Sequence, residues 1–153
     1  MFNLLYKTYV RPNIEYCPQV WSPYKKGTIK NQERVQRTAT RRVKSLKGLT
    51  YEMRLKKLGL TTLEERRERG DVIETHKILH DLHSVDLSEI FQVRNDPNRR
   101  GCMKLYKPQH RTLKRGKSFS RRVIDKWNKL PTEVKTTKTT NQFKSAYDKT
   151  KTH

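Results

Sequence analysis

The chain has 153 residues, a usual size for one domain, and 32% of them are hydrophobic. Lys and Arg number 36 against 15 Asp and Glu, so the formal net charge is +21, which favours a phosphate backbone as partner. The sequence contains no apolar run of about 18 residues and no signal-peptide pattern. We therefore expect an intracellular protein, nuclear or cytoplasmic, that is not secreted and has no membrane partner.

The first part of the chain has helical patterns. Apolar residues at three- and four-residue spacing predict an opening helix that Pro12 stops or kinks. Thr28 is a suitable N-cap for a long helix that reaches Leu46 and has a basic face within an arc of roughly 80°. This face is about 21 Å long and can touch several phosphates. Its residues are Lys30, Arg34, Arg37, Arg41 and Lys44.

The second part of the chain alternates basic and apolar segments. Residues 99–122 hold ten Lys or Arg and no acid, and Gly101, Pro108 and Gly116 break any helix there, which predicts an extended basic loop. Trp127 lies among apolar residues at helical spacing and is expected in the core, whereas Asn128 is expected to cap or bridge to a backbone group. Pro131 ends that helix, and a last short helix follows.

The predicted fold class is mainly α. It is a helical bundle with a basic extended loop and room for one short strand or hairpin around residues 100–107. The predicted organisation is a helical region 1–83, a basic loop or linker 84–118, C-terminal helices 119–150 that pack on the same domain, and a frayed tail 151–153.

Several other patterns carry little functional signal. His76, His80 and His83 share a helical side, but no obvious further ligand completes a metal site, so no metal or cofactor is expected in this chain. Tyr16, Val20, Trp21 and Tyr24 are interpreted as packing anchors, with base stacking by the aromatics as the less favoured alternative. Cys17 and Cys102 form no CxxC pair.

The basic segments carry the functional prediction. Their unopposed charge indicates contact with nucleic acid through its backbone, and nothing in the pattern indicates base readout. The sequence has no Asp-Asp pair, phosphate-binding loop or nucleophile elbow, so no enzymatic activity of the chain by itself is expected. The predicted nucleic-acid-binding residues are Lys30, Arg34, Arg37, Arg41, Lys44, Arg99, Arg100, Lys104, Arg111, Lys114 and Arg115.

A series of short motifs resembles one family across nearly the whole chain. In order, the motifs look like those that follow the palm in non-LTR retrotransposon reverse transcriptases of the LINE and jockey type. They are LYKTYVRPNIEY at 5–16, VWSPY at 20–24, ERVQR at 33–37, YEMRL at 51–55, LGL at 58–60, RRERGD at 66–71, KIL at 77–79, RG at 100–101, SRRVI at 120–124, WNKLP at 127–131 and FK at 143–144.

The resemblance implies a thumb-like C-terminal fragment of an RNA-directed DNA polymerase. Such a fragment grips the template and primer behind the polymerase site, so the implied partners are an RNA/DNA hybrid or structured RNA and the missing palm and fingers. The palm with its paired aspartates and the amino-terminal endonuclease are absent from this sequence. Mg²⁺ is therefore implied only for the missing palm, and the start at Met1 is expected to be a truncation.

Two alternatives stay open beside this reading. An independent basic RNA-binding or ribosome-associated protein would bind RNA tightly and specifically without any palm sequence. A decayed retroelement remnant would have no stable fold and would melt broadly and without cooperativity.

Overall fold

The computed structural model of the chain describes residues 1–82, 84, 86–94 and 103–151. Its elements confirm the prediction of a mainly α protein with a short two-stranded hairpin. None of the helices in these described ranges is long and apolar enough to cross a membrane. The helices up to the hairpin are α1 (Phe2–Leu5), a π-helical turn (Tyr6–Val10), α2 (Arg11–Ile14), α3 (Pro18–Trp21), α4 (Lys26–Arg41), a 3₁₀ turn (Lys44–Leu46), α5 (Tyr51–Leu58), α6 (Leu63–Leu79) and α7 (Leu87–Ile90).

The hairpin and the last helices complete the fold. Strands β1 (Val93–Arg94) and β2 (Lys104–Leu105) pair antiparallel. They are followed by α8 (Leu113–Gly116), α9 (Phe119–Arg122), α10 (Ile124–Lys129), α11 (Thr132–Lys135) and α12 (Thr140–Lys151).

The chain divides into two compact units, Met1–Arg69 and Gly70–His153. The predicted division into 1–83, 84–118, 119–150 and 151–153 stays a prediction, and residues 152 and 153 of its tail lie outside the described ranges. Each unit has its own hydrophobic cluster.

The opening helical run of the first unit continues past Pro12, so of the two predicted effects of this proline, a stop or a kink, the stop is wrong. Pro12 lies in the first turn of α2, directly after the π-helical turn. In that turn the Arg11 N–H donates to the Tyr6 carbonyl, a wider step than an α-helical bond. A π turn accommodates the proline ring, which in a regular α-helix would meet the carbonyl of Thr8.

The centre of the first unit is polar as well as apolar. Gln36 is fully buried, accepts a hydrogen bond from the Tyr6 hydroxyl at 2.8 Å, and donates to the Tyr51 hydroxyl at 3.0 Å and the Thr61 carbonyl at 2.9 Å. The Tyr51 hydroxyl in turn donates to Glu33. Because both polar atoms of the Gln36 side chain and the Tyr51 hydroxyl have partners, this network can hold α4, α5 and the opening run in one arrangement.

The core of the second unit is built around Trp127, which is fully buried, as predicted. Its indole N–H donates to the Met103 carbonyl at 2.7 Å, and its ring stacks on Phe143 at 5.9 Å between centroids. Asn128 accepts from the Leu105 N–H and donates to the Leu105 carbonyl, both at 2.9 Å. This confirms the predicted backbone bridge, and α10 thereby holds the edge of β2.

The basic stretch predicted as an extended loop contains helical turns in its second half. In α8 the Thr112 hydroxyl caps the Arg115 N–H, and α9 follows directly. Helix α8 ends at Gly116, as the predicted break requires, and the helical turns resume at Phe119. A Cβ on Gly116 would lie 2.2 Å from Nε2 of His110, so the glycine permits the close approach of that ring.

Candidate nucleic-acid interface

Helix α4 presents a straight basic surface, which we call the α4 basic face and define as Lys26, Lys30, Arg34, Arg37 and Arg41. All five side chains are exposed and recur at three- and four-residue spacing. From Lys26 to Arg41 the face is about 22 Å long at 1.5 Å per residue. It therefore offers a line of cations at a spacing suited to successive phosphates.

The predicted bounds of this helix are wrong at both ends. The helix begins at Lys26, after Lys25 as N-cap, so Thr28 is not the cap. It ends at Arg41, and Val43 is extended. The exposed Lys44 therefore belongs to the 3₁₀ turn and not to the helical stripe. The predicted stripe from Lys30 is thus shortened from about 21 Å to about 16 Å.

Tertiary hydrogen bonds explain where α4 ends. The buried Arg54 of α5 donates from Nε to the Thr40 hydroxyl at 3.3 Å and from Nη1 to the Leu49 carbonyl at 2.8 Å. These bonds need a turn after Thr40, and the same turn brings Leu46 into the buried interior. No local pattern in the sequence signals such contacts.

Sequence reasoning missed Lys26 as a member of the basic face. Its position four residues before Lys30 was the available signal, but placing the cap at Thr28 put Lys26 outside the helix. Lys26 extends the face by about one turn.

The only acid within α4, Glu33, is turned away from the basic face. One of its carboxylate oxygens accepts from the Tyr51 hydroxyl and the other from the Leu63 N–H at 3.1 Å, at the start of α6. Among the described residues, Lys30, Arg34 and Arg41 form no ion pair, and Arg37 lies over the Tyr51 ring at 4.7 Å. The exposed charged side chains of α4 are therefore all basic.

The second unit carries basic residues of its own. Arg111, Lys114 and Arg115 are exposed around α8. Lys104 is half-buried in β2, directly opposite Arg94 of β1, a cation that sequence reasoning missed. Like charges opposite each other destabilise an antiparallel pair, and a bound anion would offset that repulsion. The predicted Arg99 and Arg100 lie outside the described residues.

Two arginines of the basic stretch have structural partners. Arg122 donates to both carboxylate oxygens of Asp71, at 2.7 and 2.8 Å, and both side chains are largely buried. Arg121 donates to the carbonyls of Pro108 and Gln109. The motifs at 66–71 and 120–124 thus meet through Asp71 and Arg122, and these two arginines hold the fold together.

The aromatic segment after α2 does not supply the packing anchors that its pattern predicts. Tyr16 is 75% exposed, Val20 81% and Tyr24 39%, so the interpretation as core anchors is wrong for these three residues. The side chain of Trp21 lies outside the described part of the chain. Alternating prolines and aromatics indicate a turn. They do not indicate which side of that turn is covered by another element.

His76 and His80 are bound to backbone carbonyls rather than aimed at a common ligand. Nε2–H of His76 donates to the Thr137 carbonyl and Nε2–H of His80 to the Lys135 carbonyl, both at 2.8 Å, and the two rings are 4.3 Å apart. His83 lies outside the described residues, and within those residues no group of His, Cys, Asp and Glu could hold a metal ion. The two histidines therefore connect the C-terminal end of α6 to the backbone at the C-terminal end of α11.

The buried His76 predicts a pH dependence of stability. Burial, together with the neighbouring His80, lowers the pKa of His76 below its ordinary 6.5, although the bond to Thr137 acts in the opposite direction. Because Nδ1 is buried and has no hydrogen-bond partner among the residues that the structure describes, a second ring proton would find no acceptor there. The unfolded chain therefore takes up this proton first, and stability present above pH 6.5 is lost as the pH falls.

We expect His76→Gln to flatten the dependence of the unfolding free energy on pH between 7 and 5. One proton accounts for at most about 1.4 kcal/mol per pH unit. Urea unfolding at a series of pH values measures the slope, and the exposed His110→Gln is the matched control. An unchanged slope in His76→Gln would show that the acid sensitivity arises elsewhere.

Comparison with known proteins adds no relative. No protein-family model, no curated protein and no solved structure matches this chain.

Proposed function

We propose that this chain is a helical nucleic-acid-binding module that holds a phosphate backbone without reading bases. The observation that carries the proposal is the α4 basic face, with its five exposed cations and its one acid turned inward. Side chains that contact phosphates position a protein on nucleic acid but carry no sequence information. An affinity that depends on salt and little on sequence is therefore expected.

Within that class, we propose a thumb-like C-terminal fragment of a non-LTR retrotransposon RNA-directed DNA polymerase. Its ligand is an RNA/DNA hybrid or structured RNA, and the catalytic palm that it would serve is not in this sequence. The ordered motifs support this reading, since residues from separate motifs hold the fold through the contacts of Gln36 with Tyr51 and of Asp71 with Arg122. The fragment catalyses no reaction by itself and, without the palm, needs no Mg²⁺.

The dimensions of the α4 basic face suit such a ligand. In a duplex, phosphates along one strand recur about every 3.4 Å of axis, so a face of about 22 Å spans several of them. The cations at Lys30, Arg34 and Arg41 keep their charge available, because no ion pair in the described chain engages them.

A salt series on an RNA/DNA hybrid tests the proposal. We expect the triple variant Lys30→Ala, Arg34→Ala, Arg41→Ala to lower the slope of log affinity against log salt by about 2.7, from roughly 0.9 per phosphate contact. Alanine favours helix, so α4 should persist, and circular dichroism checks this. Fluorescence anisotropy at four or more salt concentrations gives the slope.

A second triple variant removes the same charge from elsewhere in the first unit. Lys47→Ala, Lys56→Ala, Lys57→Ala replaces exposed lysines that lie off the α4 basic face and should change the slope by less than about 0.5. Equal losses in both triples would contradict the proposal, because binding would then follow net charge alone. Tight binding of one RNA sequence over others would instead favour an independent RNA-binding protein.

A further inference from the structure

An apolar groove lies in the first unit between the opening helical run and α4. Its volume is about 630 Å³, within the range of ligand-binding clefts. The buried Tyr6 and the half-buried Val10 and Ala39 belong to the hydrophobic cluster beneath it. Leu5 (47% exposed) and Val35 (46%) form facing sides, one from each helix. The groove is thus the uncovered outer surface of a packed core.

Exposed apolar surface is concentrated in this part of the chain. Of the thirteen exposed large hydrophobic side chains among the described residues, eight fall within residues 1–35. Leu4 is 71% exposed and Tyr9 68%. Three of the eight, Leu5, Tyr9 and Val35, line the groove, and exposed apolar side chains that cluster in this way mark places where another molecule packs.

The spacing of the lining residues matches a helix as occupant. On the α4 side the lining runs from Asn31 through Val35 and Thr38 to Arg42, the C-cap of α4, which is about three turns or 16 Å. On the opening run it follows the same three- and four-residue spacing from Phe2 to Val10. Two helical stripes with a gap between them can accept the apolar stripe of a third helix.

The charge at the edge of the groove selects the partner. Arg34 of α4 and Arg42, the C-cap residue directly after it, both line the groove, eight residues or about 12 Å apart, and no acidic residue in the described part of the chain lines it. The acid of α4, Glu33, is held by Tyr51 and Leu63. A partner with carboxylates beside its apolar stripe would pair with these guanidinium groups.

We propose that this groove docks an amphipathic helix of a partner protein, about three turns long, with leucine-like residues in the groove and Glu or Asp facing Arg34 and Arg42. A second copy of this chain is a poor occupant, because two chains of net charge +21 repel each other. Nucleic acid is also disfavoured here, since the lining offers mainly apolar atoms. The inference does not rest on the proposed function.

A designed peptide tests the groove. The probe is a fluorescein-labelled helix of 16 residues with leucines at i, i+3, i+4, i+7 and i+11 and glutamates on both flanks, titrated with the full chain. We expect it to bind at least about tenfold more tightly than two matched peptides, one with lysine flanks and one with alanines for the leucines. Anisotropy measures all three.

Substitutions at residues that line the groove test whether the peptide binds there. Val35→Asp should weaken the leucine–glutamate peptide by about tenfold or more, and Arg42→Glu should weaken it while improving the lysine-flanked peptide. The matched controls are Met53→Asp, at another half-exposed apolar side chain on α5, and Lys47→Glu, at another exposed cation; neither should alter the peptide's affinity by more than about twofold. Circular dichroism melts of all four variants verify folding.

Three outcomes would overturn the proposal. Equal binding of the leucine and alanine peptides would mean that charge alone attracts them. A dimer in analytical ultracentrifugation that Val35→Asp dissolves would make a second copy the occupant. If Val35→Asp lowered affinity for an RNA/DNA hybrid as much as for the peptide, the groove would belong to nucleic acid. Lys30→Ala combined with Arg41→Ala, at two residues that do not line the groove, should weaken hybrid binding and leave peptide binding intact, so that failure of the proposed function and failure of this proposal are distinguishable.

Discussion

Trp127→Ala is expected to lower the free energy of unfolding by about 4 kcal/mol, the usual cost of removing a large aromatic side chain from a packed core. Trp127 has no solvent-exposed surface. It stacks on Phe143 and donates its indole N–H to the Met103 carbonyl at 2.7 Å. The substitution removes the packing of α10 against α12 and leaves that carbonyl without its donor. Urea unfolding followed by far-ultraviolet circular dichroism measures the effect.

The control for this prediction is Leu113→Ala. Leu113 is 79% exposed, so its truncation should change the unfolding free energy by less than about 0.5 kcal/mol. If Trp127→Ala lowered the unfolding free energy by less than about 1 kcal/mol, the described core would be contradicted, because truncating a tryptophan with no exposed surface costs more than that.

Asp71→Ala is expected to cost about 3 kcal/mol, at the lower end of the range for breaking a buried ion pair. Arg122 donates to both oxygens of Asp71, and the side chains are 18% and 8% exposed respectively. Removing the carboxylate leaves the guanidinium charge largely desolvated. Arg122 also donates to the Lys117 carbonyl at 3.4 Å and lies over the Phe119 ring at 6.0 Å, and neither of these two groups carries a negative charge.

A double-mutant cycle isolates this interaction. The double variant Asp71→Leu, Arg122→Met replaces the pair with apolar side chains. Its unfolding free energy should be markedly higher than the sum of the two single-variant losses predicts. Thermal and urea unfolding of the four proteins supply the coupling energy. Additive losses would mean that the two side chains act independently and that the bidentate geometry contributes little.

Local periodicity explains what could be predicted of the candidate interface. Lys30, Arg34, Arg37 and Arg41 were found because a helix of 3.6 residues per turn places them on one face. Lys44 was wrongly placed on the helical face because the same period was continued through Val43, where the chain becomes extended. The turn depends on Arg54, which reaches Thr40 from 14 residues further along the chain.

The sequence by itself determined the helical class, the buried position of Trp127, the backbone bridge of Asn128 and most of the α4 basic face. Each of these follows from residue type and short-range spacing. Only the tertiary structure decided the polar centre at Gln36, the pairing of Asp71 with Arg122, the exposure of Tyr16 and the apolar groove beside α4. Those features join residues 15 to 51 positions apart or depend on what leaves a surface uncovered. No local pattern encodes contacts between residues so far apart in sequence. Their burial and hydrogen bonding depend on which elements meet in the folded chain.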